Sequence, residues 1–148
     1  MTEARPEIPN RTLHRPPPLQ TLLGFDFGRQ RIGVATGQTI SGTATALVTL
    51  ESRDGRPDWV GISGLIDSWQ PDALVVGLPL HADGSDSDIT TAVRRFMRQL
   101  EGRYNLPVYG MDERLSSHTA TGSNDTQRSG MDAAAARIIL QDWLDTRT

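Results

Sequence analysis

Three acidic residues of the chain fall where strand or helix ends would gather side chains: Asp26, Glu113 and Asp132. Asp26 lies inside the apolar run Leu22-Leu23-Gly24-Phe25-Asp26-Phe27. An ionised carboxylate there is costly unless it is paired or binds a metal. Glu113 follows the apolar segment Leu106 to Met111, within Asp112-Glu113-Arg114, and Asp132 opens the last helical stretch. Ligands of parallel sheets gather outside the carboxyl ends of the strands. Carboxylates drawn from separate elements suit two-metal phosphodiester hydrolysis, in which two divalent cations sit about 3.5–4 Å apart. Hard oxygen ligands favour Mg²⁺ or Mn²⁺. The lack of cysteine and of any histidine cluster agrees with that chemistry.

Each acid also has a plainer reading. Asp26 could bond the turn Gly28-Arg29-Gln30, and Asp112 and Glu113 could pair with Arg114 at the surface. Asp132 stands in the first turn of a helix, where the macrodipole favours any acid. The three together, on distinct elements, favour the metal site.

The elements that must position them follow from periodicity. Leu22 to Phe27, Arg31 to Thr36 and Ala44 to Leu50 read as three strands with short links, an antiparallel meander. Asp58 to Trp69 has Trp59, Ile62, Leu65, Ile66 and Trp69 at helical spacing. Ala73 to Gly77 is a continuous apolar run, as expected of a strand covered on both faces. Ser85 to Asp88 offers N-caps for a helix carrying Ile89, Val93, Phe96, Met97 and Leu100 on its inner face. Leu106 to Met111 is a fifth strand, and Asp132 to Asp145 a third helix. The predicted fold is therefore α/β: a mixed five-stranded sheet, β-β-β-α-β-α-β-α, with helices on both faces. Residues 1–20, with five prolines, read as a disordered tail, and residues 21–148 as one domain. The Ser-, Thr-, Gly- and Asn-rich stretch 115–130, which contains His118, reads as a mobile loop.

Composition narrows the classes. A chain of 148 residues has room for one core, and without cysteine it can hold neither a disulfide scaffold nor a thiolate zinc site. No apolar run approaches the roughly 20 residues that span a bilayer, and the polar, proline-rich start does not read as a signal peptide, so the expected location is the cytoplasm. The formal charge is −3, yet all 15 basic residues are arginine, whose planar fork suits phosphate.

Four segments carry a resemblance. Gly24-Phe25-Asp26-Phe27-Gly28-Arg29-Gln30-Arg31-Ile32-Gly33-Val34-Ala35 resembles the first-strand motif of the YqgF family of pre-16S rRNA nucleases and Holliday-junction resolvases. Leu74-Val75-Val76-Gly77-Leu78-Pro79-Leu80 with Asp83-Gly84, then Asp112-Glu113-Arg114-Leu115-Ser116-Ser117, then Asp132-Ala133-Ala134-Ala135 with Ile139-Leu140-Gln141 are similar to its later motifs, in order. The resemblance covers about residues 22–145. It implies an RNase H-like fold and a nuclease in which Asp26, Glu113 and Asp132 are the catalytic and metal-binding acids. It further implies Mg²⁺ or Mn²⁺ as cofactor, and Arg29, Arg31 and Arg114 as substrate-binding residues. The implied substrate is structured nucleic acid, first the 5′ end of the 16S rRNA precursor. The chain departs from the related resolvases in ending Gly77-Leu78-Pro79 without an acid, so Glu113 would have to substitute.

Three other readings compete. The chain could resolve Holliday junctions, which calls for a two-fold dimer, although no exposed apolar stripe demands one; a monomer or weak dimer is expected. An RNase H-like module could bind nucleic acid without cutting it. Asp26-x-Gly28 with Gly33 also resembles the phosphate hairpin of the actin and sugar-kinase fold, which normally needs two such domains.

Overall fold

The computed structural model describes residues 21–115 and 132–147. The proposed tail and most of the loop carrying His118 lie outside them. A sheet of six strands carries the chain. β1 (Thr21–Phe27), β2 (Arg31–Gln38) and β3 (Thr43–Arg53) form the antiparallel meander. β5 (Ala73–Leu78) then pairs parallel with β1, and β6 (Val108–Asp112) parallel with β5. Among the described residues the helices are α1 (Trp59–Trp69), α2 (Asp88–Tyr104) and α3 (Asp132–Asp145).

The expected five strands are corrected to six. The additional one, β4 (Arg56–Pro57), is a two-residue strand folded back on the end of β3 through Asp54-Gly55. Both turn residues have positive φ, 52° and 79°, the backbone that an Asp-Gly hairpin turn adopts. Two residues are too few to show an alternating pattern, which is why periodicity passes over them. β3 also runs longer than the Ala44–Leu50 stretch read from sequence, and β6 begins at Val108 rather than Leu106.

Strand alternation divides the core into two layers. Leu22, Ala35, Ala73, Val75 and Met111 meet Ala136, Ile139, Leu140 and Trp143 of α3 on one face. Leu23, Phe25, Ile32, Val34, Leu74 and Val76 meet Ile62 of α1 and Val93, Phe96 and Leu100 of α2 on the other. Successive side chains of a strand point to opposite faces, so an apolar run buried on both sides, as in β1 and β5, marks a central strand.

Local chemistry sets the helix ends. Asp58 caps α1 by accepting from the Gly61 amide at 3.0 Å, and Ser87 and Thr90 form a reciprocal capping box on α2. Gln70 and Asn105 close these helices in the left-handed conformation, φ 47° and 55°. Among the described residues no helix is long and apolar enough to cross a membrane.

Candidate active site

β1, β5 and β6 run parallel, so their carboxyl ends share one edge of the sheet, and the N-terminal end of β2 lies at that edge too. Asp26 stands there, 8% exposed. Its Cα partner on β2 is Gly33. Because Phe25 is in register with Val76, the next position places Asp26 beside Gly77 of β5. Asp26 shares parity with Leu22 and Gly24, so its side chain belongs to the face covered by α3.

The two glycines that flank Asp26 are where the other two acids come in. A Cβ on Gly33 would collide with the backbone carbonyl of Asp132, so the first turn of α3 rests directly on β2. A Cβ on Gly77 would stand 2.5 Å from Oε2 of Glu113 and 2.6 Å from Cδ1 of Ile139. Glu113 reaches this position from the short 3₁₀ turn Glu113–Leu115 that follows β6. Neighbouring strands are about 4.8 Å apart. Asp26 thus has the Glu113 carboxylate about one strand spacing away on one side and the start of α3 about one spacing away on the other.

Asp132 is 7% exposed, and its Oδ2 accepts from Nε of Arg31 at 2.8 Å. Arg31 is half-exposed, its side chain keeping 40% of its surface. Arg114 is engaged locally: its Nη2 and Nε donate to the Asp112 carboxylate at 2.7 and 3.1–3.2 Å, and its Nη1 to the Ala82 carbonyl at 3.2 Å. Those hydrogen bonds, against some burial, hold the Asp112 carboxyl below the usual carboxylate range and raise the Arg114 guanidinium. Arg29 is exposed in the β1–β2 turn, on the side of the sheet opposite α3, where it lines a groove with Phe27.

The fold brings Asp26, Glu113 and Asp132 to one edge and one face. It does not draw them into a finished cation cluster: among the described residues no three His, Asp or Glu groups stand close enough to hold a metal ion. Sequence reasoning named the acids and overlooked their seats. Gly33 and Gly77 lie inside the family-like motifs, and the signal for Gly77 is the absence of an acid at the end of that strand. The position is empty of side chain because Glu113 fills it.

The comparisons agree with this architecture. Residues 20–146 match the family RuvX, described as Holliday junction resolvase. A pre-16S rRNA nuclease of Pseudomonas paraeruginosa is 48% identical over 134 residues, covering 86% of this chain and 93% of the relative. One of Pseudomonas fluorescens is 47% identical over 139 residues, covering 88% and 95%. Among solved structures, T. thermophilus RuvC in complex with a Holliday junction substrate superposes with a TM-score of 0.54 at 14% identity, over 86% of this chain and 95% of that one. A second T. thermophilus RuvC structure gives 0.52 at 13%, over 86% and 96%. At that identity the likeness concerns the fold, which is the RNase H-like fold of these resolvases.

Proposed function

The chain belongs to the RuvX family, and from that membership we propose a divalent-metal-dependent nuclease that trims the 5′ end of the 16S rRNA precursor in the cytoplasm. One observation carries the mechanism: Asp26 is flanked across the sheet by two glycines, one admitting the Glu113 carboxylate and the other the first turn of α3 with Asp132. The domain that does this work is residues 21–148, with 1–20 as a tail.

The donor set fits a hard divalent cation. Its groups are carboxylates, they come from three separate elements, and the Gly77 cradle that a Cβ would fill gives Glu113 its place. Asp26, Glu113 and Asp132 would hold Mg²⁺ or Mn²⁺. The bound metal would supply an activated water and positive charge for the leaving oxygen. The chain's own residues set the frame. β1 fixes Asp26 within a layer that excludes water on its apolar side, and Arg31 orients Asp132 through the 2.8 Å hydrogen bond. The half-exposed Arg31 and the exposed Arg29 face the substrate's phosphates, whereas Arg114 acts chiefly by tying the Ala82 loop to the end of β6 and so steadying Glu113.

A Holliday junction is the alternative substrate, the one named in the family description. Incubation of the purified chain with precursor 16S rRNA and with a four-way DNA junction, with and without Mn²⁺, separates them. Metal-dependent cleavage of the rRNA, abolished in Asp26→Asn, Glu113→Gln and Asp132→Asn, is the expected result. Full activity in any one variant removes that residue from the mechanism, and cleavage of the junction alone replaces the substrate.

A further inference from the structure

On the opposite side of the same sheet edge lies an open groove of about 750 Å³ that the acidic site does not use. Phe27 begins it, one residue after Asp26, and the β1–β2 turn, the β3–β4 hairpin, the start of α1 and the face of α2 from Asp88 to Gln99 form its walls. Backbone hydrogen bonds fix the parts together: Gly55 donates to the Arg29 carbonyl at 3.0 Å and Ser52 to the Gln30 carbonyl at 2.9 Å. Three exposed arginines from three different elements converge on it, Arg29, Arg56 and Arg95.

The charges of the groove differ in how the fold accounts for them. Its two acids have local reasons. Asp54 forms the hairpin turn at φ 52°, and Asp88 sits in the first turn of α2, where it meets the helix dipole. The arginines have none: among the described residues no ion pair or hydrogen bond engages their guanidinium groups. Three exposed guanidinium groups with no partner among the described residues, set around one open groove, suit a polyanion.

We propose that this groove binds the phosphate backbone of the substrate strand flanking the scissile bond, led over the sheet edge by Arg29. The proposal rests on the nuclease reading for its identification of the strand. Asp26 and Arg29 are three residues apart, at most about 11 Å along the chain, so a strand engaged at the acids has only the end of the sheet to cross before it meets Arg29. The lining also offers no free aromatic ring to anchor a protein partner beside the arginines. Of the groove's two aromatics, Phe27 is buried against Phe96, and Trp59 has Phe96 stacked at 5.9 Å and the Arg103 guanidinium 4.0 Å from its ring centre. With that ring occupied, the groove contacts backbone rather than stacking bases, and contributes affinity without reading sequence.

The test is binding without cleavage. Fluorescence anisotropy of a labelled single-stranded RNA, in EDTA, is measured over a salt series with the full chain and with Arg56→Ala, Arg95→Ala and the double variant. Arg98→Ala, an exposed arginine of α2 outside this groove, is the control. The double variant is expected to bind about tenfold more weakly near 0.1 M salt, with the slope of log K against log salt reduced by about 1.4, while Arg98→Ala retains the affinity. Arg56→Lys with Arg95→Lys should keep the slope, which separates charge from folding. An unchanged slope in the double variant, or an equal loss in Arg98→Ala, overturns the groove. Displacement of the RNA by an acidic peptide at equal charge concentration would transfer the site to a protein partner and overturn it too. Cleavage with Mn²⁺ is scored separately, so a chain that binds through the groove yet never cuts would end the nuclease reading and leave the groove only as a nucleic-acid backbone site.

Discussion

The Oε2 atom of Glu113 lies 2.5 Å from the point where Gly77 would carry a Cβ. The acid that follows one strand therefore occupies the side-chain position of its neighbour. Gly77→Ala should push the carboxylate aside, and the new methyl would also crowd Cδ1 of Ile139 at 2.6 Å. Cleavage is expected to fall about a hundredfold from misplacement of order 1 Å, with a stability loss of about 1–3 kcal/mol from overpacking. Single-turnover kinetics beside a thermal melt would check it. Wild-type rates in a folded Gly77→Ala protein would take Glu113 out of the site.

Arg31 and Asp132 form a partly buried pair that joins β2 to α3. Arg31→Ala leaves a carboxylate of 7% exposure without its donor, at a cost of about 1–3 kcal/mol. Cleavage should drop as well, because α3 then presents Asp132 less firmly. Arg31→Lys keeps the charge and loses the guanidinium geometry, so it should recover stability better than rate. Equal recovery of both would reduce Arg31 to a structural brace.

A third expectation concerns pH. The Arg114 hydrogen bonds depress the Asp112 carboxyl in the folded chain. A folded value below the unfolded one means the pair contributes in full above the ordinary carboxylate range and is lost only as pH falls through the depressed value. The anchor beside Glu113 should hold unchanged through neutral and mildly acidic solution. Carboxyl-carbon NMR titration should find Asp112 titrating at lower pH than in Arg114→Ala; coincident titrations would contradict the pairing.

Phe96 joins the sheet to both helices on the far side, with ring centres 5.7 Å from Phe25, 4.9 Å from Phe27 and 5.9 Å from Trp59. Phe96→Ala should cost about 3–5 kcal/mol through the cavity it leaves. Denaturant unfolding would measure this, and a loss below about 1 kcal/mol would mean that the layer repacks.

The sequence by itself determined the order of the longer elements and the burial of β1 and β5, and it singled out Asp26, Glu113 and Asp132 as candidates. Alternation and continuous apolar runs report burial locally, and a carboxylate inside such a run is conspicuous without coordinates. Gly77 and Gly33 could be read in the sequence only as small residues in motifs. That they seat Glu113 and the start of α3 depends on strand order and register, which join positions 36 and 99 residues apart. Tertiary structure also decided how the arginines divide. Arg31 and Arg114 bind Asp132 and Asp112, while Arg29 meets Arg56 and Arg95 across a groove that no linear spacing reveals. The two-residue β4 escaped for a related reason: its pairing partner, and not its own pattern, makes it a strand.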